Sequence, residues 1–523
     1  MNSYWIESVK SGKMEFPKLE EDKEVDVCII GGGLTGITTA YYLSKTNLKV
    51  VVLEKYKVCE HASGNTTAKI TSQHGLFYDY LIQSQGKEKA KQYLEANEQA
   101  IQNIETIVNE EKIDCNFERQ DNYVYTLKQD EVMKIKKEVE AVNSLGFPAK
   151  FVPEIGLPFR TLGAIKFPNQ AQFNPCKYVL GLLNAIAKNK NITIFENTKV
   201  VDLESLKNEN LEKVRQSANN VKKDDINRYK IITENGDSIT AKYVVLATHY
   251  PIINFPGYYF LKMYQEISYL IGVETKQTLF EGMYINSEQP TISFRVAKDG
   301  EKQLLLVGGM GHKTGERKDI SDSYANLEAI AKQYYPDCKI KYRWCTEDCI
   351  SLDKIPYIGE FSNLMQNVYV GTGYKKWGMT SSNVAANIIT DKILGKENPY
   401  EEVFTSTRLE PIKNRKELGN MIKEVATSWT VEKIKIPEEK LKDIEKGTGG
   451  FIEFENKKIG VYKEENGNIY LVKPVCSHLG CELTWNNLEK TWDCPCHGSR
   501  FTYTGKSIYD PSIKDLEVIK IEK

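Results

Sequence analysis

Two short segments near the end of the chain contain closely spaced cysteines and histidines. One residue separates Cys476 from His478, and two residues separate Cys494 from His497. One Cys-and-His pair in each segment is the ligand set of a two-iron cluster in which one iron binds two thiolates and the other binds two imidazoles. Such a cluster carries one electron at a time, so this spacing predicts that the chain transfers electrons.

A zinc ribbon is the alternative for these residues. Zinc knuckles usually begin with C-x₂₋₄-C pairs and complete a tetrahedron, whereas here each pair mixes Cys with His and the first has a one-residue gap. Residues 479–493, a hairpin-sized stretch, separate the two pairs. The spacing therefore favours the iron-sulfur cluster over zinc.

Both segments, C-S-H-L-G-C at 476–481 and C-P-C-H-G-S at 494–499, resemble the box sequences of Rieske proteins of the high-potential, cytochrome-bc type. The resemblance implies a [2Fe-2S] cluster bound by Cys476, His478, Cys494 and His497. It further implies a disulfide between Cys481 and Cys496, and a hydrogen bond from Ser499 to a cluster sulfur. Phe501 stands where those proteins have a tyrosine, so one potential-raising hydrogen bond is missing and we expect a mid-range potential.

Length and composition are those of a globular protein. The chain has 523 residues, enough for about three or four domain-sized units, and is 41% hydrophobic and 27% charged. A net charge of −1 gives no electrostatic reason to expect nucleic acid or a membrane surface as a partner. The chain contains no run of 18 apolar residues and no signal-peptide pattern at its N-terminus, so we expect no transmembrane helix and a cytoplasmic location.

A βαβ unit is predicted around a glycine-rich turn near the N-terminus. A buried strand at 25–30 leads into G-x-G-x-x-G at 31–36, a helix follows, and a second strand at 50–53 ends in Glu54. In such units the glycines let the backbone approach a pyrophosphate at the helix N-terminus, and the acid binds a ribose. The strand, turn, helix, strand and acid occur in this order, which predicts a dinucleotide site.

The other glycine clusters favour FAD over NAD as the dinucleotide. Residues 307–314 have Thr at the third glycine position and are not followed by a helix, so we interpret them as a loop at the end of a strand. The chain therefore has one complete fingerprint. The glycines at 371–373 precede a predicted helix, and a second helix N-terminus suits another contact with a long cofactor such as a flavin.

The first 400 or so residues resemble the D-amino-acid-oxidase-like FAD-dependent oxidoreductases, the family of glycine and sarcosine oxidases. The resemblance rests on the fingerprint and its acid, on A-S-G-N-T-T at 62–67, on the strand at 241–248, and on D-K-I-P-Y-I-G at 353–359 ahead of the glycines at 371–373. It implies FAD bound by Gly31, Gly33, Thr35, Gly36, Glu54, Lys55, Ser63, Thr66, Thr67, Val200, Gly371, Gly373, Gly378, Met379 and Thr380.

These motifs predict an α/β Rossmann-type FAD-binding domain with an antiparallel-sheet substrate domain, plus a C-terminal all-β Rieske domain. We expect the FAD-binding and substrate subdomains to be interleaved in residues 1–396. A charged connector is predicted at 397–434, and the Rieske domain at 435–523.

A flavin and a one-electron centre on one chain predict a converter between two-electron and one-electron chemistry. In the resembling family the hydride leaves a carbon that bears an amine. We therefore expect a small-molecule amine or amino-acid substrate and an external one-electron carrier. The alternatives are an electron-relay or redox-sensing protein without its own substrate, and an NAD(P)H-driven flavin reductase.

The sequence identifies no catalytic residue, and three residues are candidates for contacting the substrate. Arg295 would bind a carboxylate through its two-pronged guanidinium. Tyr264 and Lys376 are candidates from their positions relative to the family. A surface arginine on the sheet is the alternative interpretation of Arg295.

Overall fold

A computed structural model describes residues 3–12, 14–207, 227–299, 302–316, 322–408 and 440–519. Its α-helices are α1 Tyr4–Glu7, α2 Leu34–Leu43, α3 Tyr78–Gln85, α4 Lys87–Glu110, α5 Val132–Ser144, α6 Pro175–Ile186, α7 Ser323–Tyr334, α8 Gly378–Ile393 and α9 Glu401–Phe404. Its strands are β1 Lys23–Ile30, β2 Val50–Leu53, β3 Lys69–Ile70, β4 Glu118–Thr126, β5 Lys150–Val152, β6 Gly163–Gln172, β7 Ile192–Phe195, β8 Val200–Lys207, β9 Asn227–Thr233, β10 Ser238–Leu246, β11 Met263–Glu274, β12 Met283–Asn286, β13 Ile292–Asp299, β14 Lys302–Lys313, β15 Lys339–Ser351, β16 Tyr357–Ser362, β17 Met365–Thr372, β18 Thr448–Phe454, β19 Lys457–Lys463, β20 Ile469–Val472, β21 Thr484–Asn486, β22 Thr491–Asp493, β23 Arg500–Thr502 and β24 Ser507–Tyr509.

The first sheet is the parallel sheet predicted for nucleotide binding. Its parallel strands follow the order β17-β10-β1-β2-β7, with β16 antiparallel at one edge and the β8-β9 hairpin beside β10. The last four residues of β1 and all four of β2 are buried. Helices such as α2 and α8 pack on one face of the sheet, and β8, β9 and the segment around Tyr259 cover the other. Helix α2 starts immediately after β1, so its N-terminus lies at the C-terminal edge of the sheet.

The second sheet forms the substrate subdomain. Its strand order is β15-β11-β14-β13-β12-β4-β6-β3, with β5 on β6, and its pairs are antiparallel apart from β12 with β4. The predicted loop at 307–314 is wrong, because β14 continues to Lys313. Within this stretch Gly308 pairs with Leu270 on one side and with Ser293 on the other, and this pairing on both sides keeps the segment extended.

The chain crosses between these two sheets several times, as the prediction of interleaved subdomains requires. The first residues of the predicted connector pack on the FAD-binding part, where Arg408 donates two hydrogen bonds to the Asp353 carboxylate. Residues 409–439 lie outside the described residues, and the exact domain boundaries stay a prediction.

The C-terminal part is all-β, as predicted. It consists of the antiparallel sheets β18-β19-β20 and β21-β22-β23-β24 around the fully buried Leu483, Trp492 and Phe501. Cys481 and Cys496 form the predicted disulfide. This domain docks on both parts of the flavoprotein: the Tyr56 hydroxyl donates to the Ser507 carbonyl oxygen over 2.8 Å.

Across the described ranges, no helix combines the length and the apolar composition that crossing a lipid bilayer demands.

Candidate cofactor and substrate sites

A cavity of about 720 Å³ lies between the two large sheets. One end is formed by the glycine-rich turn after β1 and by the end of β2, and the other by β11, β14, β15 and the loop before α8. The C-terminal domain supplies part of the wall through Ile508, Tyr509, Asp510 and Ile513. All three parts of the chain therefore contribute to one cavity.

The turn at 31–36 has the geometry of a pyrophosphate site. Gly31 has φ +113°, and a Cβ there would lie 2.4 Å from the Ala247 carbonyl oxygen. Gly33 caps α2 without a side-chain hydrogen bond, and a Cβ on it would lie 2.9 Å from Ser63 Oγ. Because the N–H groups at the start of a helix attract anions, and Gly33 leaves them accessible from the cavity, these residues fit a dinucleotide phosphate.

Glu54 lies at the opposite side of this turn. Its Oε2 accepts a hydrogen bond from the Gly32 N–H over 2.7 Å, and its Oε1 accepts one from the Tyr56 N–H over 2.8 Å. Burial raises the pKa of this carboxyl, while the two backbone hydrogen bonds act in the opposite direction. Each oxygen keeps a second lone pair, so Glu54 can also accept a ribose hydroxyl.

Most of the residues predicted to bind FAD line the cavity. They are Gly31, Gly33, Thr35, Glu54, Lys55, Ser63, Thr66, Thr67, Val200, Gly371, Gly378 and Met379. Three others lie behind its wall. A Cβ on Gly36 would lie 1.9 Å from the Gly31 oxygen, Gly373 packs against Tyr357 and Met263, and Thr380 Oγ1 hydrogen-bonds His74. These three shape the site from behind and do not face the cavity.

Arg295 does not bind in the cavity, in contrast to the sequence prediction. Its side chain is 3% exposed, and its guanidinium donates to the carbonyl oxygens of Thr67, Ala68 and Phe173 and to Gln172 Oε1. Every branch of the guanidinium is thus engaged, and the side chain holds the loop before β3 against β6. Arg295 is a structural residue.

Tyr264 and Lys376, the two other candidates, do line the cavity. Both contact Glu266: Lys376 Nζ lies 2.7 Å from Glu266 Oε2, and the Tyr264 hydroxyl donates to Oε1 over 3.1 Å. Lys376 and Glu266 form an ion pair, which lowers the pKa of the glutamate against the effect of burial.

Sequence reasoning left several polar residues of this cavity unassigned. Asp348 faces it from β15, opposite Glu266 on β11. His74 stacks on Trp377 with ring centroids 5.1 Å apart, and burial lowers its pKa to about 3. His249 has φ +66°, and its Nε2 is buried with no hydrogen-bond partner in the described part of the chain. Asp348, His74 and His249 stand outside the motifs used in the sequence analysis, so no local pattern indicated them.

The four predicted cluster ligands converge in the C-terminal domain. Cys476 and Cys494 are buried and unoxidised, and the His478 and His497 rings are perpendicular with centroids 5.1 Å apart. The Nδ1 atoms of both histidines are buried without a hydrogen-bond partner among the described residues. Two thiols and two orphaned imidazole nitrogens fit a [2Fe-2S] cluster with mixed ligands.

Ser499 lies beside this ligand set. Its Oγ accepts a hydrogen bond from the Ser512 N–H over 3.0 Å, so its own proton is directed elsewhere. The neighbouring Cys494 thiol and, to a lesser extent, the Ser499 hydroxyl lower the pKa of Cys476. Donation from Ser499 to a cluster sulfur stays a prediction.

The FAD-binding part covers the imidazole side of the ligand set. His478 Nε2 lies 2.6 Å from Asn254 Oδ1, and the Phe260 ring centroid lies 5.8 Å from that of His497. Gln265, at the start of β11, donates to the His497 carbonyl oxygen over 2.8 Å. Cys476, Cys494 and His497 are thus buried, and His478 is half-buried, where the C-terminal domain meets the flavoprotein part.

An ion-pair network joins the C-terminal domain to strand β15 of the second sheet. Arg500 is 1% exposed, and its Nε lies 3.0 Å from Asp493 Oδ1 and 3.5 Å from Glu347 Oε1. Glu347 belongs to β15, where it directly precedes Asp348, a residue that lines the cavity. The network therefore joins the C-terminal domain to the strand that forms one wall of the cavity.

Comparison with known families agrees with both sites. Residues 26–392 match the FAD dependent oxidoreductase family, and residues 435–520 match the Rieske [2Fe-2S] domain. The two cofactors predicted from the sequence, FAD and a [2Fe-2S] cluster, are those of these families and are confirmed.

Individual relatives support the same division of the chain. The Bacillus subtilis (strain 168) iron-sulfur protein YhfW, to which a Rieske 2Fe-2S centre is attributed, is 37% identical over 520 residues, which cover 99% of this chain and 98% of YhfW. The gamma-glutamylputrescine oxidoreductase of Escherichia coli (strain K12) is 20% identical and covers 74% of this chain and 87% of its own length. The crystal structure of glycine oxidase from Geobacillus kaustophilus superposes with a TM-score of 0.60 at 18% identity, covering 74% of this chain and 99% of the oxidase.

Proposed function

Because this chain belongs to the FAD-dependent oxidoreductase family and carries a Rieske [2Fe-2S] domain, we propose that it oxidises an amine or amino acid and passes the electrons singly to an external carrier. A cytoplasmic location is part of the same proposal. The catalytic and cofactor-contacting residues named above are proposed on their geometry.

One observation carries the proposal: the cavity that fits FAD shares its wall with the domain that holds the cluster ligands. Tyr509 and Asp510, which follow Cys496 by 13 and 14 residues, line the cavity beside the fingerprint turn. A cluster ligand, His478, hydrogen-bonds Asn254 of the FAD-binding part. FAD and a cluster bound at these two sites would lie in adjoining parts of one molecule, which supports electron transfer between them.

The cofactors supply the redox chemistry, since bound FAD accepts a hydride and a [2Fe-2S] cluster carries one electron at a time. The fingerprint turn and Glu54 would hold FAD, and Cys476, His478, Cys494 and His497 would hold the cluster. For a primary amine the overall reaction consumes the amine, one water and two oxidised carriers. It yields the carbonyl compound, ammonia, two protons and two reduced carriers.

This chain's own residues bind the substrate and exclude water. Tyr264, Trp377 and the aliphatic part of Lys376 line the end of the cavity beside β11. The His74 imidazole is held neutral by burial and receives its orientation from the Tyr93 hydroxyl, 2.6 Å from Nδ1. An enclosed, partly aromatic cavity of this kind strengthens polar contacts with a small ligand.

Relatives support a substrate with an amino group. The Escherichia coli relative is named for oxidising gamma-glutamylputrescine, and the superposed structure is a glycine oxidase. These names favour amine or amino-acid oxidation as the reaction of this chain, and the identity of its carrier is left to experiment.

Anaerobic stopped-flow mixing tests the proposal. Oxidised holoprotein is mixed with a panel of amines and amino acids, and flavin bleaching is followed together with the electron paramagnetic resonance signal of the reduced cluster. We expect the flavin to bleach first and the cluster signal to follow. Reduction by NAD(P)H and not by amines would identify a flavin reductase instead, and reduction by protein carriers alone would identify an electron relay.

A cluster-free variant, Cys494→Ser, provides the control. If electrons leave through the cluster, this variant retains flavin bleaching by the substrate but loses turnover with a one-electron acceptor such as ferricenium. Rapid peroxide formation from oxygen that is equal in the two proteins would contradict this exit route.

A further inference from the structure

We propose that Asp348 binds the ammonium group of the substrate, and that the substrate is an amine without a carboxylate next to its amino group. This inference rests on the proposed function and narrows its substrate class. It concerns the end of the cavity beside β11 and β15.

Asp348 and Glu266 face the same end of the cavity because of strand pairing. The two residues are direct partners in the antiparallel pair β11-β15, and residues paired across strands project from the same face of a sheet. Both side chains line the cavity. Two carboxylates therefore stand next to each other where the substrate sheet meets the loop before α8.

The charge of Glu266 is already balanced, whereas that of Asp348 is not. Lys376 Nζ lies 2.7 Å from Glu266 Oε2, and the Tyr264 hydroxyl donates a hydrogen bond to Glu266 Oε1. The Asp348 carboxylate forms no hydrogen bond or salt bridge with another described residue, although the Lys376 charge acts on it at longer range. The carboxylate available to a ligand is therefore that of Asp348.

The remaining lysines on this side are held by aromatic rings away from Asp348. Lys375 Nζ lies 4.2 Å from the Phe77 ring centroid, and Lys354 Nζ lies 4.6 Å from that of Tyr80. Both rings belong to the region of α3, and the Asp348 carboxylate is on β15. Neither lysine has an ion pair with Asp348.

No arginine lines the cavity among the described residues. Arginine is the side chain that binds a carboxylate with two parallel hydrogen bonds. Arg295, which the sequence predicted to bind a substrate carboxylate, donates its hydrogen bonds to protein groups instead. An amino acid would bring its carboxylate close to Asp348, and like charges repel. A cationic amine would instead be attracted by the Asp348 carboxylate. Tyr264 and Trp377, which also line the cavity, have ring faces that attract cations.

Three matched ligands test this inference on the oxidised holoprotein by isothermal titration calorimetry under anaerobic conditions. Norvaline carries both groups, n-butylamine is norvaline without the carboxylate, and pentanoate is norvaline without the amine. We expect butylamine to bind at least tenfold more tightly than norvaline or pentanoate. Equal or tighter binding of norvaline or pentanoate, or no binding of butylamine, would overturn the inference.

The variant Asp348→Asn, which keeps the size of the side chain, should lose at least tenfold in butylamine affinity. Glu131→Gln is the matched control, because Glu131 lines the same cavity and is paired with Lys134. It should bind butylamine as the natural protein does. If Asp348→Asn bound butylamine unchanged, the ammonium would be held elsewhere; should this variant not fold, the three-ligand comparison on the natural protein decides.

Flavin reduction separates this inference from the proposed function. Bleaching by norvaline but not by butylamine would overturn the Asp348 site and leave amine or amino-acid oxidation standing. Tight butylamine binding that depends on Asp348, without bleaching by any amine, would support the binding site and overturn the proposed reaction.

Discussion

The Nε2 atom of His478, a proposed cluster ligand, lies 2.6 Å from Oδ1 of Asn254, a residue of the FAD-binding part more than 200 positions earlier in the chain. Since Nδ1 of the same ring faces the cluster site, Nε2 carries the proton and donates to the Asn254 oxygen. The outer edge of this imidazole is thereby covered, and the flavoprotein becomes part of the cluster's immediate surroundings.

This contact predicts opposite effects of two substitutions at Asn254. Oxidation withdraws electrons from the ligands and makes the imidazole N–H a stronger donor, so an acceptor stabilises the oxidised state. Asn254→Leu should raise the midpoint potential by about 20–40 mV, as a difference of about 0.5–1 kcal/mol implies. Asn254→Asp should lower it, because a negative charge stabilises the oxidised state further.

Redox titration monitored by the cluster's paramagnetic signal measures both shifts. If Asn254 only shaped its loop, Asn254→Leu and Asn254→Asp would shift the midpoint potential in the same direction, or neither would shift it.

Ser499 should raise the potential of the cluster. We predict that its hydroxyl donates a hydrogen bond to a cluster sulfur. Reduction makes that sulfur more negative, so the bond is stronger in the reduced state. If the difference between the states is about 1–2 kcal/mol, Ser499→Ala lowers the midpoint by roughly 40–90 mV with cluster content unchanged.

The matched control is Ser507→Ala, because Ser507 is equally buried and donates to the Ser512 carbonyl oxygen. Protein-film voltammetry should place this control within about 10 mV of the natural protein. Equal shifts in both variants would mean that loop packing, not the Ser499 hydroxyl, sets the potential.

Glu54→Ala should weaken FAD binding and leave the cluster intact. The substitution removes an acceptor for a ribose hydroxyl and leaves the N–H groups of Gly32 and Tyr56 without their partner. A lost hydrogen bond to a charged group costs about 1.5–3 kcal/mol, which corresponds to roughly 10- to 150-fold in Kd. Fluorescence titration of the deflavinated protein with FAD gives this ratio, and unchanged affinity would show that the ribose is bound elsewhere.

Butylamine binding should depend on pH through Asp348. Burial raises the pKa of this carboxyl to about 6, with Glu266 raising it further and Lys376 lowering it. The carboxylate form binds the ammonium, and alkylamines stay protonated until about pH 10. Affinity should therefore increase as the pH rises from 5 to 7 and then level off.

Calorimetry across this pH range checks the dependence. Asp348→Asn should bind weakly at every pH with a flat profile, and a profile that keeps its slope in this variant would assign the titration to another group.

The parts of the molecule encoded by short sequence segments were predictable. The turn at 31–36 and the ligands at 476–478 and 494–497 are specified by residues within a few positions of one another, so their spacing alone indicates their geometry. Arg295 was misassigned because its partners, such as Gln172 and Phe173, lie more than 120 residues away and only the packed structure shows that it is buried. Asn254 and Asp348 carry no local signal either, because their roles arise from domain docking and from the β11-β15 register.

The strand order of the parallel sheet has a consequence for how the protein is made. β1 pairs with β2 and with β10, and the last residue of β10, Leu246, is separated from Ile30 by roughly 220 residues. At about 5–20 residues per second, a ribosome needs about 10–45 s to cover that distance. During this time one edge of the apolar β1 strand lacks its native partner, and contacts of such long sequence separation also form slowly. The nascent chain should therefore depend on chaperones that shield this edge until β10 has emerged.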